Sequence, residues 1–183
     1  MNRGRWSSRD SGKMVSWGKF TLGIPIINQF GPGRTSPKRS SMAQIKHIAI
    51  ATQNADETAK FYKEVFGMRE MAKLDSPNAK GYYLSDGNIN LAILDFQNDQ
   101  VAGAEYGKSY SGIHHIGFEV ESLEEIAAKM LAANAQPRED INQALGVGMP
   151  GAHHDNVEVK YAGPDGVIID VSQTGWVGTR GFD

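Results

Sequence analysis

The sequence predicts an α+β fold made of two copies of one strand–helix–strands unit, with the helices on the outside of a shared sheet. Three observations lead there. Ile45-Lys46-His47-Ile48-Ala49-Ile50 resembles Ile113-His114-His115-Ile116-Gly117-Phe118, and His47 and His115 stand 68 residues apart. A helix-start pattern follows each segment at the same offset, Asn54 with Glu57 and Ser122 with Glu125. A side-chain oxygen at such a position accepts from the free amides of the first helical turn. Two independent patterns sharing one offset imply a duplication.

The elements follow in order. Thr58, Phe61, Tyr62, Val65 and Phe66 recur at helical spacing after the first cap, and Gly67 is a helix stop. Leu123, Ile126, Ala127, Met130 and Leu131 do the same after the second. Strands are expected at Gly81 to Leu84 and Ile89 to Phe96, joined by Asp86-Gly87, and at Val157 to Tyr161 and Val167 to Ser172, joined by Pro164-Asp165-Gly166.

Alternation along a strand then sorts the side chains. If Ile48 and Ile50 cover the first helix, His47 and Ala49 face the other way. On the repeat, His115, Gly117 and Glu119 face away from the helix, and His114 falls on the opposite parity as a structural or exposed residue. On the fourth strand Asn90, Ala92 and Leu94 point in. On the last strand Ile168, Asp170 and Ser172 oppose the packing set Val167, Ile169 and Val171. His47, His115 and Asp170 therefore share one concave side. Two imidazoles and one carboxylate are the donor set of many open catalytic metal sites.

Composition bounds the rest. The chain has 183 residues, 22% charged and 40% hydrophobic, and no cysteine. Disulfide scaffolds, zinc ribbons and thiol nucleophiles are excluded, and a metal site must use nitrogen and oxygen donors. No apolar run is long enough to span a membrane. The formal net charge of −2 hides a split. Residues 1–41 carry eight Lys+Arg and one Asp, net +7, and residues 42–183 carry eleven Lys+Arg and twenty Asp+Glu, net −9. Residues 1–41 read as a basic, disordered extension, with an organelle-targeting peptide and a nucleic-acid arm as alternatives, and no chemistry is placed there. The Gly146-Val147-Gly148 run lacks the strand–glycine-rich turn–helix setting of a nucleotide site.

Residues 43–176 resemble the vicinal oxygen chelate superfamily, which contains glyoxalase I, methylmalonyl-CoA epimerase, extradiol dioxygenases and bleomycin- and fosfomycin-resistance proteins. The resemblance rests on Ile45-Lys46-His47-Ile48-Ala49, Phe61 to Met68, Gly112 to Gly117, and Gly163-Pro164-Asp165-Gly166-Val167-Ile168-Ile169-Asp170. It implies two tandem β-α-β-β-β modules, residues 43–98 and 111–176, forming a half-open mixed-sheet barrel with the helices outside. It implies a divalent metal held by His47, His115 and Asp170, with aspartate where the family usually has glutamate. The fourth ligand position matches Ala92, which has no donor, and Asn90 lies nearby. Open coordination positions suit Fe(II) or Mn(II), with Zn(II) or Ni(II) as further possibilities. The segment Gly151-Ala152-His153, Tyr161 and Pro164-Asp165-Gly166 partly resembles the extradiol dioxygenase signature, which makes His153 and Tyr161 the candidate catalytic residues.

The functional expectation is a metal-dependent enzyme of glyoxalase or dioxygenase type acting on a small substrate with adjacent oxygens, with ring-cleaving dioxygenase placed first. A glyoxalase I-like lyase or an epimerase-type isomerase is one alternative. A metal-free ligand-binding or resistance protein is another. A cytoplasmic location, a small-molecule partner, no nucleic acid or membrane partner and a possible homodimer complete the expectation.

Overall fold

The computed structural model describes residues 42–147 and 158–182. The first module runs β1 (Gln44–Ala51), α1 (Ala55–Phe66), β2 (Arg69–Asp75), β3 (Ala79–Ser85) and β4 (Asn90–Phe96). A short helix, α2 (Asp99–Ala102), leads into the second module: β5 (Gly112–Glu119), α3 (Leu123–Ala132), α4 (Glu139–Ala144), β6 (Glu158–Ala162) and β7 (Ile168–Ser172). All seven strands form one mixed sheet in the order β2-β3-β4-β1-β5-β7-β6. β1 and β5 lie antiparallel at the centre, and each pairs in parallel with the last strand of its own module, β4 or β7. The duplication read from sequence is thus realised as two half-sheets joined along their first strands. The expected α+β architecture, a half-open sheet with helices outside, is the one observed.

The second module departs from the first at one strand. Where the first has β2, the second keeps an isolated bridge between Pro137 and Tyr161, flanked by Arg138 N–H to Lys160 O and Ala162 N–H to Gln136 O, both 2.8 Å. Proline has no N–H to extend a ladder, so the strand stops there.

Both helix starts form as the sequence requires. Asn54 Oδ1 accepts from Glu57 N–H at 3.2 Å and Ser122 Oγ from Glu125 N–H at 3.1 Å. α1 ends at Gly67, whose φ of 68° lies in the left-handed region. The packed face of α1 differs from the expected one. Ala59 is buried against Leu84, Leu91 and Ile93, with Ala55 and Tyr62 beside it. Phe61, Val65 and Phe66 are exposed. Small alanines let the helix axis approach the sheet, which turns the large side chains outward. On the other face Ala49, Ala92, Leu94 and Phe96 form a second cluster with Val101 and Ala102. No described helix is long and apolar enough to cross a membrane.

Candidate metal centre

The site is one cross-strand row of the sheet plus one residue of the next. Pairing links Ser85 to Asn90, Asn90 to His47, His47 to Gly117, Gly117 to Asp170 and Asp170 to Lys160, across six strands. Paired residues on adjacent strands share a face, so all six point to the same concave side. His115 enters from the neighbouring row, opposite Ala49. Gly117, between His47 and Asp170, contributes no side chain. A Cβ there would come within 2.7 Å of both His47 Cβ and the Trp176 ring. That glycine therefore leaves room at the centre of the row for the Trp176 ring.

Donor atoms of His47, His115 and Asp170 lie within 4.8 Å of one another, and all three residues are buried. His47 Nε2 is 3.0 Å from His115 Nε2, and His115 Nε2 is 3.3 Å from Asp170 Oδ2. The hydrogen bonds behind the rings fix which nitrogens carry protons. His114 Nε2 contacts Ala102 O at 2.7 Å, and a carbonyl only accepts, so His114 donates through Nε2. Its Nδ1 then accepts at 2.8 Å from His115 Nδ1–H, which leaves His115 Nε2 bare. On the other side, Asn90 Nδ2 donates to Val177 O at 2.9 Å, which turns Asn90 Oδ1 toward His47. Oδ1 accepts at 2.8 Å from His47 Nδ1–H, and His47 Nε2 is bare as well.

Burial keeps both rings neutral. It lowers His47 to about 4, although Asp170 and Asn90 act in the raising direction. It holds His115 well below the ordinary histidine value, with Lys160 adding to the effect. Two lone pairs therefore face each other at 3.0 Å with no proton between them, an arrangement that repels unless a cation intervenes. Two ligand atoms each about 2.1 Å from one ion at right angles stand about 3.0 Å apart. Asp170 Oδ1 is buried and has no hydrogen-bond partner. The donor set, the spacing and the orphaned oxygen all fit a divalent metal.

Asp170 is also held from the far side. Lys160 Nζ forms an ion pair and hydrogen bond with Asp170 Oδ2 and lies 3.8 Å from Glu158 Oε2. Burial pushes the Glu158 carboxyl up to about 7, with Lys160 opposing and Asp170 reinforcing the shift. The site opens into a cleft of about 410 Å³ walled by Leu74, Tyr83, Leu94 and Phe96, with Glu158, Lys160 and Trp176 at its polar end. Trp176 stacks on the His47 ring, centroids 4.9 Å apart at 11°. Its indole N–H lies near the Glu158 carboxyl but reaches no hydrogen-bond geometry.

The structure brings His47, His115 and Asp170 together at the positions that strand parity assigns. Tyr161, expected as a catalytic residue, does not join them. It pairs with Ile169 on β6, so it faces away from the cleft, and the inward residue is its neighbour Lys160. His153 lies outside the described residues. Asn90 points in as expected, but it bonds His47 Nδ1 instead of reaching the metal position. His114 is not on the helix side. A register shift pairs Ala49 with His115 and Ile50 with Ile113, which leaves His114 unpaired and turns it among Phe96, Tyr106 and Tyr110. Glu119 accepts from Arg180 Nη2 at 3.1 Å. Sequence reasoning missed Lys160, Glu158 and Trp176. The first two could have been found by carrying parity from Asp170 across the β6–β7 turn, and the third by the glycines at every third position in Gly175-Trp176-Val177-Gly178-Thr179-Arg180-Gly181.

Comparison with known proteins agrees with the geometry. The model of the Glyoxalase/Bleomycin resistance protein/Dioxygenase superfamily matches residues 44–171. The chain belongs to this superfamily. It is 22% identical over 137 residues to the human mitochondrial methylmalonyl-CoA epimerase, covering 73% of this chain and 75% of that one. Among solved structures, a Streptomyces coelicolor methylmalonyl-CoA epimerase variant in complex with 2-nitronate-propionyl-CoA superposes with a TM-score of 0.56 at 20% identity, covering 72% of this chain and 97% of the other. A hypothetical protein from Bacillus halodurans C-125 gives 0.56 at 21% identity, covering 72% and 94%. At these identities the structural likeness shows the shared fold.

Proposed function

We propose that the chain is a divalent-metal-dependent isomerase of the epimerase type, acting on a small acyl substrate whose reacting carbon lies next to a carbonyl. The observation that carries this reading is the pair of neutral, inward-facing imidazoles converging with Asp170 beside a second carboxyl, Glu158, on the far side of Lys160. The likeness to methylmalonyl-CoA epimerases supports it. His47, His115 and Asp170 would hold the metal. When bound, a divalent cation supplies Lewis-acid polarisation of a substrate oxygen. The donor set is compatible with Mn(II), Fe(II), Co(II), Ni(II) or Zn(II) and offers no thiolate.

The chain's own groups do the rest. Asn90 and His114 keep both ligand nitrogens unprotonated through the bonds described above. The Lys160 ammonium places a fixed positive charge at the polar end of the cleft, where negative charge develops on the substrate carbonyl. Glu158, which lines the same cleft, would take the proton from the carbon next to that carbonyl, and a carboxyl near neutral pKa is matched to that task. Return of the proton from Glu158 restores the original configuration, and delivery of a proton from solvent water to the opposite face of the planar carbanion inverts it.

The test is exchange in D2O. Protein loaded with Co(II) or Mn(II) and given methylmalonyl-CoA is followed by proton NMR. Loss of the α-proton signal is expected, and it should vanish in Glu158→Gln and His47→Ala. Exchange no faster than with metal alone would sink the isomerase reading.

One observation favours a second reading. Two histidines and one carboxylate with open positions are also the donor set of non-heme Fe(II) oxygenases, so ring cleavage of a catechol remains the competitor. Oxygen uptake and a yellow product with Fe(II) and catechol, without α-proton exchange, would select it.

A further inference from the structure

The residues after β7 cross back over the functional row. Trp176 stacks on His47 and meets the gap left by Gly117, Val177 O accepts from Asn90 Nδ2 at 2.9 Å, and Gly178 O accepts from Ser85 Oγ at 2.6 Å. Strap residues 176, 177 and 178 thus track the row from its centre outward. The far end is tied down by Gly181 N–H to Gly87 O at 2.9 Å and by the Arg69 guanidinium over Phe182, 4.2 Å from the ring centroid. The strap fits closely. A Cβ on Gly178, whose φ is 79°, would come within 2.8 Å of Met71 Cγ and of Ser85 Cβ.

These contacts converge on one ligand. Apart from the other candidate ligand His115, two described side chains support the His47 ring: the indole face of Trp176 and the carboxamide oxygen of Asn90. The Asn90 carboxamide is itself oriented by a strap carbonyl. Without Val177 O, no other contact among the described residues selects oxygen over nitrogen at the His47 side of Asn90. A flipped carboxamide would donate to Nδ1, place the ring proton on Nε2 and block the nitrogen that faces the metal position.

We propose that the carboxy-terminal strap, Gly175 to Gly181, is a working part of the metal centre, with Trp176 and Asn90 acting as positioning residues for His47. The proposal rests on the metal reading given above. It makes metal affinity depend on residues that donate nothing to the metal, and one of them, Gly178, touches neither the metal ligands nor the cleft wall. Outer partners that orient a histidine ligand typically change metal affinity by about 10–100-fold when removed.

The experiment is Co(II) titration of the full chain, read by visible absorption and by quenching of indole fluorescence, with Trp6→Phe and Trp17→Phe in the background so that only Trp176 reports. Expected results are near-stoichiometric binding with Trp176 quenching, loss of binding in His47→Ala, and about 10–100-fold weaker binding in Gly178→Ala, read both ways, and in Trp176→Ala, read by visible absorption alone. Trp176→Phe, which keeps a stacking ring, should recover most of the affinity. Circular dichroism and urea unfolding of each metal-free variant establish that it is folded, and Gly178→Ala carries the test if Trp176→Ala is not. Failure of the parent protein to bind Co(II) overturns the metal reading together with the strap. Binding by the parent with unchanged affinity in folded Gly178→Ala and Trp176→Ala overturns the strap alone.

Discussion

His114 offers the sharpest test of the hydrogen-bond logic, because it is no ligand and no part of the cleft wall. His114→Phe keeps a ring between Phe96 and Tyr106, whose centroids lie 4.7 and 5.0 Å away, but removes both nitrogens. Ala102 O then loses its donor and His115 Nδ1–H its acceptor, both in buried surroundings. Each stranded buried group costs about 1–3 kcal/mol. A purely apolar ring at the same place offsets part of that, so a net loss of roughly 2–4 kcal/mol is expected in urea unfolding of the metal-free protein. The second consequence is chemical: His115 is no longer confined to the tautomer with a bare Nε2. Co(II) affinity should fall by about 10–100-fold. His114→Gln, which carries one acceptor and one donor, should recover part of both losses. Stability within about 0.5 kcal/mol of the parent, together with an unchanged Co(II) affinity, would refute the tautomer argument.

Other expectations follow from the same geometry. Gly117→Ala puts a methyl 2.7 Å from both His47 Cβ and the Trp176 ring, so it should cost about 1–3 kcal/mol and weaken Co(II) binding, which unfolding and titration would show. The metal-free protein should lose stability in mild acid. His47 falls from 6.5 to about 4 on folding, so the unfolded chain binds the extra proton, and the stability present above pH 6.5 declines toward pH 4 by about 3 kcal/mol for this group. Glu158, raised to about 7, acts in the opposite direction over the same range, so the measurement is made in Glu158→Gln, where urea midpoints that stay level between pH 7 and 5 would contradict it. A chelator should lower the melting temperature of metal-loaded protein and leave metal-free protein unchanged. Free metal at about 100 times its dissociation constant contributes about 2.7 kcal/mol by mass action.

The parts of the fold legible in sequence are those governed by local rules. Period-two alternation places His47, Asn90, Ala92 and Asp170 on the inner face because the parallel ladders β1·β4 and β5·β7 run in unbroken register across those residues. The same count failed for His114, because a register shift in β5 breaks the alternation, and nothing in Gly112-Ile113-His114-His115 marks the bulge. The expectation for Tyr161 rests on resemblance to a motif and not on pairing. Antiparallel register sets Lys160 opposite Asp170, and a one-residue difference sends a side chain to the other face. The α1 apolar pattern was read correctly as helical and wrongly as to which face packs, because Ala55 and Ala59 carry little hydrophobic weight although they decide how closely the helix approaches. The strap has no periodicity to read, and its role exists only through tertiary contacts.

The substitution of aspartate for glutamate at residue 170 takes on meaning beside Lys160. A shorter side chain holds its carboxyl closer to its own strand, and the antiparallel partner of that strand places an ammonium there to meet it. Lys160 engages Oδ2 and leaves Oδ1 buried and unpartnered, so the carboxylate has one oxygen committed to the protein and one available. An isolated buried carboxylate is costly, and an ammonium at contact distance offsets that cost without using the second oxygen. With the imidazoles neutral, Asp170 and Lys160 balance each other, and a divalent ion held there as proposed would give the floor of the cleft net positive charge, moderated by Glu158 at its edge. Such a floor favours a substrate that develops negative charge on oxygen, which is the requirement of proton removal beside a carbonyl. The departures from the family pattern are therefore compatible with the isomerase chemistry proposed above.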